Sequence, residues 1–202
     1  EIKRERFGGP MRFILGSSSP RRRELLAHTG IEFEIIKPDI DESPKEGESP
    51  VDFVRRASGE KLFEILKKKK FGRETIILTA DTIVVIDNKI LGKPINKRDA
   101  FRMLKLLQGR WHIVYTAFSL YYKSKTITRV VKTDVRFREL TDGEIKKYIE
   151  SDEPMDKAGA YAAQGIGATI IKEIRGSYTN VIGLPVAEVI QELKRLKVQP
   201  ES

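Results

Sequence analysis

Residues 76–94 read I-I-L-T-A-D-T-I-V-V-I-D-N-K-I-L-G-K-P, and the rest of the chain is ordered around them. Their β-branched run has the composition of a strand buried on both faces, and Asp87-Asn88 is a hairpin turn signal. Asp81 interrupts the run with a carboxylate where apolar residues belong. Burying an ion costs several kcal/mol unless it is paired, hydrogen-bonded or metal-bound, so this acid needs a reason. Two remain open at this point: a structural acid satisfied by neighbouring amides, or a functional carboxylate with a perturbed environment. Beyond the turn, Gly92-Lys93-Pro94 sets a lysine after a flexible glycine, a candidate phosphate contact on the rim of the same site. An acid on a strand with a cation past its hairpin suggests phosphate-ester chemistry.

At 202 residues the chain fits one domain, or one domain with two lobes, and can bury a sizeable core. No apolar run approaches the roughly 20 residues of a membrane span, and no signal peptide is visible, so a cytoplasmic location is expected. With no cysteine there is no disulfide framework, thiol nucleophile or thiolate zinc site. His28 and His112 are the two histidines, which argues against a histidine-based triad or metal cluster. The net charge of +9 points to anionic partners, nucleotides or nucleic acid. The basic residues are spread along the chain; the run Lys67–Lys70 sits where a helix is expected to end and suits its dipole.

Residues 1–10 end in Gly-Gly-Pro and carry no periodicity; they are expected to be an upstream extension or a remnant of expression, with one domain over 11–202. Arg12–Leu15 reads as a first strand. Ser19 then caps a helix with Pro20 at its first position and Gly30 closing it. Arg21, Arg22 and Arg23 fall in its first turn, the end of the dipole that disfavours cations by ~0.3–1 kcal/mol each. Either the arginines splay into solvent or an anion such as a phosphate sits among them, helped by the serine-rich loop before. Phe33–Lys37 reads as a second strand. An acidic loop follows in which Glu42 is a candidate partner for Asp81 around a hard cation. Ser49-Pro50 starts a helix to about Lys70, with Val51, Val54, Leu62, Phe63, Ile65 and Leu66 as its apolar face; Lys61 in it is a surface charge or a phosphate ligand. Asn96 caps a helix closed by Gly109. Residues 111–122 and 126–140 read as an antiparallel hairpin, and Thr141-x-x-Glu144 is a capping box.

The second informative stretch is Glu153–Pro185, E-P-M-D-K-A-G-A-Y-A-A-Q-G-I-G-A-T-I-I-K-E-I-R-G-S-Y-T-N-V-I-G-L-P. Its small residues permit close backbone approach, as a ligand-lining loop or as a tight turn before a strand over 168–174. Gln164 sits among them with an amide donor and acceptor, which can complement the imide edge of uracil or thymine. No G-x-x-x-x-G-K-[ST] is present, which removes the P-loop reading. A last, structural helix is expected over 186–197.

In order, S-S-S-P-R-R-R-E-L-L, A-D-T-I-V-V, G-K-P, D-K-A-G-A-Y-A-A-Q-G-I-G-A and G-S-Y-T-N-V-I-G-L-P resemble the motifs of the Maf family of nucleoside triphosphate pyrophosphatases. The resemblance covers residues 11–197. It implies an α/β fold like that of the inosine triphosphate pyrophosphatases: an elongated mixed β-sheet with flanking helices and two lobes around a cleft. It also implies hydrolysis of a nucleoside triphosphate to monophosphate and pyrophosphate with a divalent metal. By motif, Asp81 matches the family's general base, and Arg21, Thr82 and Gln164 fall where base specificity is set. Ser17, Arg22, Lys61 and Lys93 match phosphate-side positions, and Glu42 an acid beside the metal. The A-Y-x-x-Q-G form resembles the branch acting on dTTP and UTP, and removal of non-standard nucleotides is a related role. Gly16 departs from the usual alanine and is expected only to loosen the strand end.

Carboxylates without His or Cys select Mg²⁺ or Mn²⁺ over zinc, and the lack of a Cys or His nucleophile favours direct attack by water. Two rivals stand against a pyrophosphatase: a non-catalytic nucleotide-binding regulator of septum formation, and a basic nucleic-acid-binding module. A general base is more than binding needs, and no continuous basic face interleaved with aromatics is found, so neither nucleic acid nor membrane is an expected partner. A homodimer is among the assemblies the sequence allows.

Overall fold

The structure is a computed structural model that describes residues 11–196; the expectations for residues 1–10 and for Lys197 lie outside the described residues. Its strands are β1 (Arg12–Gly16), β2 (Glu34–Ile35), β3 (Thr75–Ile86), β4 (Lys89–Leu91), β5 (Trp111–Tyr122), β6 (Lys125–Phe137) and β7 (Ile171–Arg175). Its α-helices are α1 (Pro20–Ala27), α2 (Pro50–Lys68), α3 (Lys97–Leu107), α4 (Asp142–Glu150), α5 (Tyr178–Ile182) and α6 (Val186–Arg195). The strands pair in the order β2-β1-β3-β5-β6-β7, with β4 beside β3. β1 runs parallel to both β2 and β3, whereas β4 on β3 and β7 on β6 are antiparallel. The sheet is therefore mixed, and the fold is α/β.

β3 is buried at every position except Thr82, which is half-buried. This is the continuous apolar strand that residues 76–86 announce. At its end Asp87 and Asn88 take φ of 50° and 58°, the left-handed pair that a two-residue turn needs to match strand twist. Lys123 and Ser124 do the same between β5 and β6, with φ of 47° and 62°. Side chains close the helix starts: Ser49 accepts from the Asp52 amide, Asn96 from the Asp99 amide, and Thr141 with Glu144 forms the expected capping box.

The backbone divides into two compact units. Among the described residues, one contains 11–81, Ala117–Val130 and 183–196; the other contains Thr82–Thr116 and Val131–Ile182. In the first unit Ile14 and Ile77 of the sheet pack on Leu62 and Ile65 of α2. In the second, Val84, Leu104, Leu107, Val135, Phe137, Ile149 and Tyr161 belong to one larger core cluster. Each large apolar side chain so buried contributes about 1.5–3 kcal/mol.

Several expectations are corrected. The second strand shrinks from 33–37 to two edge residues, because only Ile14↔Glu34 and Leu15↔Ile35 pair with β1. The buried face of α2 is Phe53, Val54, Ala57, Ser58, Lys61, Leu62 and Ile65, so Phe63, one residue (about 100°) off that stripe, is 57% exposed. Its ring carries the Lys67 ammonium 4.4 Å above it instead. The strand expected over 168–174 begins only at Ile171, because the 3₁₀ turn before it runs on to Thr169, and α5 is an additional short helix. Gly16 does not loosen its strand. A Cβ there would lie 2.5 Å from Ile65 Cδ1 and 2.6 Å from Thr79 Cγ2, so its absence lets α2 and β3 close on β1.

Candidate active site

In the first unit the buried charge of β3 has a partner. Lys61 Nζ lies 2.6 Å from Asp81 Oδ1 and 2.8 Å from Glu42 Oε1. Lys61 and Asp81 are each 6% exposed, while the Glu42 side chain, on an extended loop, is more than half exposed. Helical spacing puts Lys61 on the stripe of α2 that faces the sheet, among Ala57, Leu62 and Ile65, and its stem spans that apolar layer. The lysine is thus neither a surface charge nor solvent-facing; it is the cation that makes burial of Asp81 tolerable.

The start of α1 supplies a second group of charges. The Ser19 side chain accepts from the Arg22 amide, as a cap should. The buried Ser17 Oγ accepts from the Ser19 amide at 3.1 Å and from Arg22 Nη1 at 3.4 Å, which leaves its proton to donate to an acceptor. Arg22 Nε donates to the Gly183 carbonyl at 2.7 Å, which fixes the guanidinium. Burial lowers the Arg22 pKa from its usual value; the charges of Asp81 and Glu42 oppose that shift and Arg21 adds to it. No acid stands in the first turn of α1. Arg21 is half-buried and Arg23 exposed, so two of the three arginines turn inward.

The carboxylates can be judged as a cation site. Glu42 and Asp81 aim oxygens at one point, the Lys61 ammonium, and among the described residues no group of three or more His, Cys, Asp or Glu could hold a metal. An all-oxygen pair suits Mg²⁺ or Mn²⁺, which commonly take one or two carboxylates and complete their shell with water and substrate phosphates. The donor set fits such an ion with Lys61 Nζ moved aside.

The second unit holds Thr82, Lys93 and Gln164. Thr82 Oγ1 is 2.8 Å from Thr116 Oγ1, and Thr116 donates to the Asn180 carbonyl at 3.2 Å. Lys93 is exposed after β4, where Gly92 accepts from the Gly159 amide at 3.0 Å. Gly159 has φ of +69°, and a Cβ there would be 2.9 Å from Val84 Cγ1, which explains the glycine in A-G-A. Gln164 is half-buried and precedes the 3₁₀ turn Gly165–Thr169. Tyr161, three residues before it, is buried, with its hydroxyl 2.8 Å from His112 Nε2. The two rings meet edge to face with each other and with Phe137. Burial alone drives the His112 pKa down to about 3, so this histidine is a neutral core residue.

Reasoning from sequence passed over Tyr148, Glu153 and Thr116. Their bonds join residues 5 to 64 positions apart, and no local spacing announces them.

A match to the family described as Maf-like protein runs over residues 12–196. The chain belongs to the Maf-like family. A dTTP/UTP pyrophosphatase of Syntrophus aciditrophicus is 50% identical over 91% of this Maf-like chain and 89% of its own length. One from a Shewanella species is 44% identical over 94% of this chain and all of its own, and one from a Thermoanaerobacter species is 45% identical over 92% and 96%. Among solved structures, a nucleoside-triphosphatase / dITP/XTP pyrophosphatase from Mycobacterium abscessus aligns over 92% of this chain and 98% of its own at 12% identity. Its TM-score of 0.43 is too low to argue from. None of the described helices is long and apolar enough to cross a membrane.

Proposed function

We propose that this Maf-like protein hydrolyses dTTP and UTP at the α–β phosphoanhydride, releasing pyrophosphate and leaving the nucleoside monophosphate. The observation that carries the chemistry is a buried carboxylate, Asp81, held by the Lys61 ammonium and accompanied by a second carboxylate. The relatives of 44–50% identity, all named for dTTP and UTP, support the substrate class.

In this reading Asp81 orients a water and takes its proton as the oxygen bonds to the α-phosphorus. The bridging P–O bond to the β-phosphate breaks, and pyrophosphate departs with the electron pair. Lys61 fixes the Asp81 carboxylate by its 2.6 Å bond, a place it would yield to a cation held by Glu42 and Asp81. Ser17, Arg22 and Lys93 are assigned to the phosphates; for Ser17 and Arg22 the support is the donor proton of the one and the half-buried, fixed guanidinium of the other. Glu42 and Asp81 would hold a Mg²⁺ or Mn²⁺, which when bound supplies neutralisation of phosphate charge. Arg21, Thr82 and Gln164 are assigned to the base, Gln164 through its amide against the imide edge. A cytoplasmic setting is part of the proposal, since the substrate class is found there.

The test is a panel of nucleoside triphosphates with Mg²⁺ or Mn²⁺, separating pyrophosphate from orthophosphate. Pyrophosphate from dTTP and UTP, lost on chelation, is expected. Stepwise orthophosphate release, or full turnover in chelator, refutes the assignment.

A further inference from the structure

The loop carrying Gln164 is tied down by a single carboxylate and a single phenol. Glu153 Oε2 accepts from the Ile166 amide at 3.0 Å, and its Oε1 accepts from the Gly167 amide at 3.2 Å. Oε1 also accepts from the Tyr148 hydroxyl at 3.3 Å, and the Tyr148 oxygen in turn accepts from the Ala162 amide at 3.1 Å. The directions are forced. An ionised carboxylate can only accept, so the phenol must spend its proton on Glu153 and meet Ala162 with a lone pair. Residues two before, two after and three after Gln164 are therefore held through one network.

The clamp also explains the glycines. At Gly167 a Cβ would fall 2.2 Å from the Ala162 carbonyl oxygen and 2.6 Å from the Tyr148 hydroxyl oxygen. At Gly165, with φ of +64°, it would fall 3.1 Å from Glu153 Oε2. The G-I-G of this motif makes room for Glu153 and Tyr148. The base of the clamp is rigid: Tyr148 lies in the core on α4, and the Glu153 amide donates to Ser151 Oγ at 3.3 Å. Lys157 Nζ donates to the Glu153 carbonyl at 2.6 Å.

We infer that Glu153 and Tyr148 are positioning residues for base selection: together they hold the 162–167 loop so that the Gln164 amide is presented in one orientation. This rests on the proposed reading of the base by Gln164. A loop freed from the clamp leaves the amide to find its geometry upon binding, which weakens binding and blurs discrimination while the hydrolytic residues are unaffected.

Glu153→Gln keeps the shape but offers one acceptor oxygen in place of two and turns an N–H toward an N–H or a hydroxyl. Hydrogen exchange followed amide by amide is the first measurement. Exchange at Ile166 and Gly167 is expected to rise about tenfold or more with the rest of the chain unchanged. Tyr148→Phe, the second variant should the first fail to fold, is expected to release Ala162 while Ile166 and Gly167 stay protected. The second measurement is kinetic. In Glu153→Gln, KM for UTP is expected to rise about tenfold with kcat within about threefold. The UTP/CTP ratio of kcat/KM should fall in the same direction as in Gln164→Ala.

Unchanged exchange in both variants overturns the clamp. An unchanged UTP/CTP ratio in Glu153→Gln, with Gln164→Ala lowering it, overturns the role in selection. If Gln164→Ala also leaves the ratio unchanged, the base-reading assignment falls and this inference falls with it. If wild-type protein releases no pyrophosphate from UTP, the proposed function fails, and the exchange data alone decide the clamp.

Discussion

Lys61→Met removes the ammonium shared by two carboxylates while keeping the length and apolar stem of the side chain. The two arms are unequal. Asp81 is buried against Nζ at 2.6 Å, so losing the cation strands a carboxylate away from water. Breaking a buried pair in this way costs about 3–5 kcal/mol. Glu42 lies at 2.8 Å, but its side chain is 54% exposed, and an exposed pair is worth ~0–1 kcal/mol. Lys61→Met should therefore lose about 3–5 kcal/mol and Glu42→Gln less than ~1 kcal/mol. For a chain of this size each kcal/mol moves Tm by roughly 2–4 °C, so the methionine variant should melt about 6–20 °C lower. In Lys61→Met/Asp81→Asn no stranded charge remains, and most of the loss should return, a coupling of ~2 kcal/mol or more. A divalent ion bound by Glu42 and Asp81 would also stabilise Lys61→Met, by ~2.7 kcal/mol at a hundredfold excess over its Kd. Urea denaturation of wild type, both singles and the double, with and without Mn²⁺, reads all of these. A Lys61→Met protein within ~1 kcal/mol of wild type, or a double variant no better than the single, would refute the claim that Lys61 is what permits Asp81 to be buried.

Asp81→Asn keeps the side chain's shape but cannot accept a proton; turnover should fall ~10²–10⁴-fold while nucleotide binding by calorimetry persists, and wild-type-like turnover returns Asp81 to a structural role. Gln164→Glu sets a carboxylate against the carbonyls of the base, so kcat/KM for UTP and the UTP preference over CTP should both drop; an unchanged ratio in a folded variant refutes base reading by this residue. His112 has a pKa of about 3 in the fold against 6.5 for the free side chain. Because the unfolded chain binds the extra proton in that window, the histidine's contribution is complete above pH 6.5 and is lost as pH falls toward 3. At pH 5 the loss relative to neutral pH is about 2 kcal/mol. His112→Gln should flatten this limb of the stability curve, and parallel urea midpoints for the two proteins from pH 7.5 to 5 would count against it.

What the sequence determined by itself is what short range decides. Caps join residues three apart, so Ser49, Asn96 and the Thr141–Glu144 box could be named from spacing, and each forms. The Asp87-Asn88 turn needs only two residues that tolerate positive φ, and the β-branched run on either side of Asp81 has the composition of a strand buried on both faces, which it forms. Ordered motifs along the whole chain were enough to reach the family. Where a reading needed distant partners, the tertiary structure decided. Periodicity marks a helix as two-faced without locating the centre of the face. Phe63 was thus placed on the inner face, where it is 57% exposed, and Lys61 was left open between a surface charge and a phosphate ligand until the packing of α2 on the sheet buried it. Asp81 could be recognised as an acid in need of a partner, but a lysine 20 residues earlier could not be chosen over the others. The small residues around Gln164 signalled close approach without saying of what. It is the Glu153 carboxylate, 13 and 14 residues away from the amides it binds, because a hydrogen bond across a turn is set by how the elements around it pack and leaves no period in the chain.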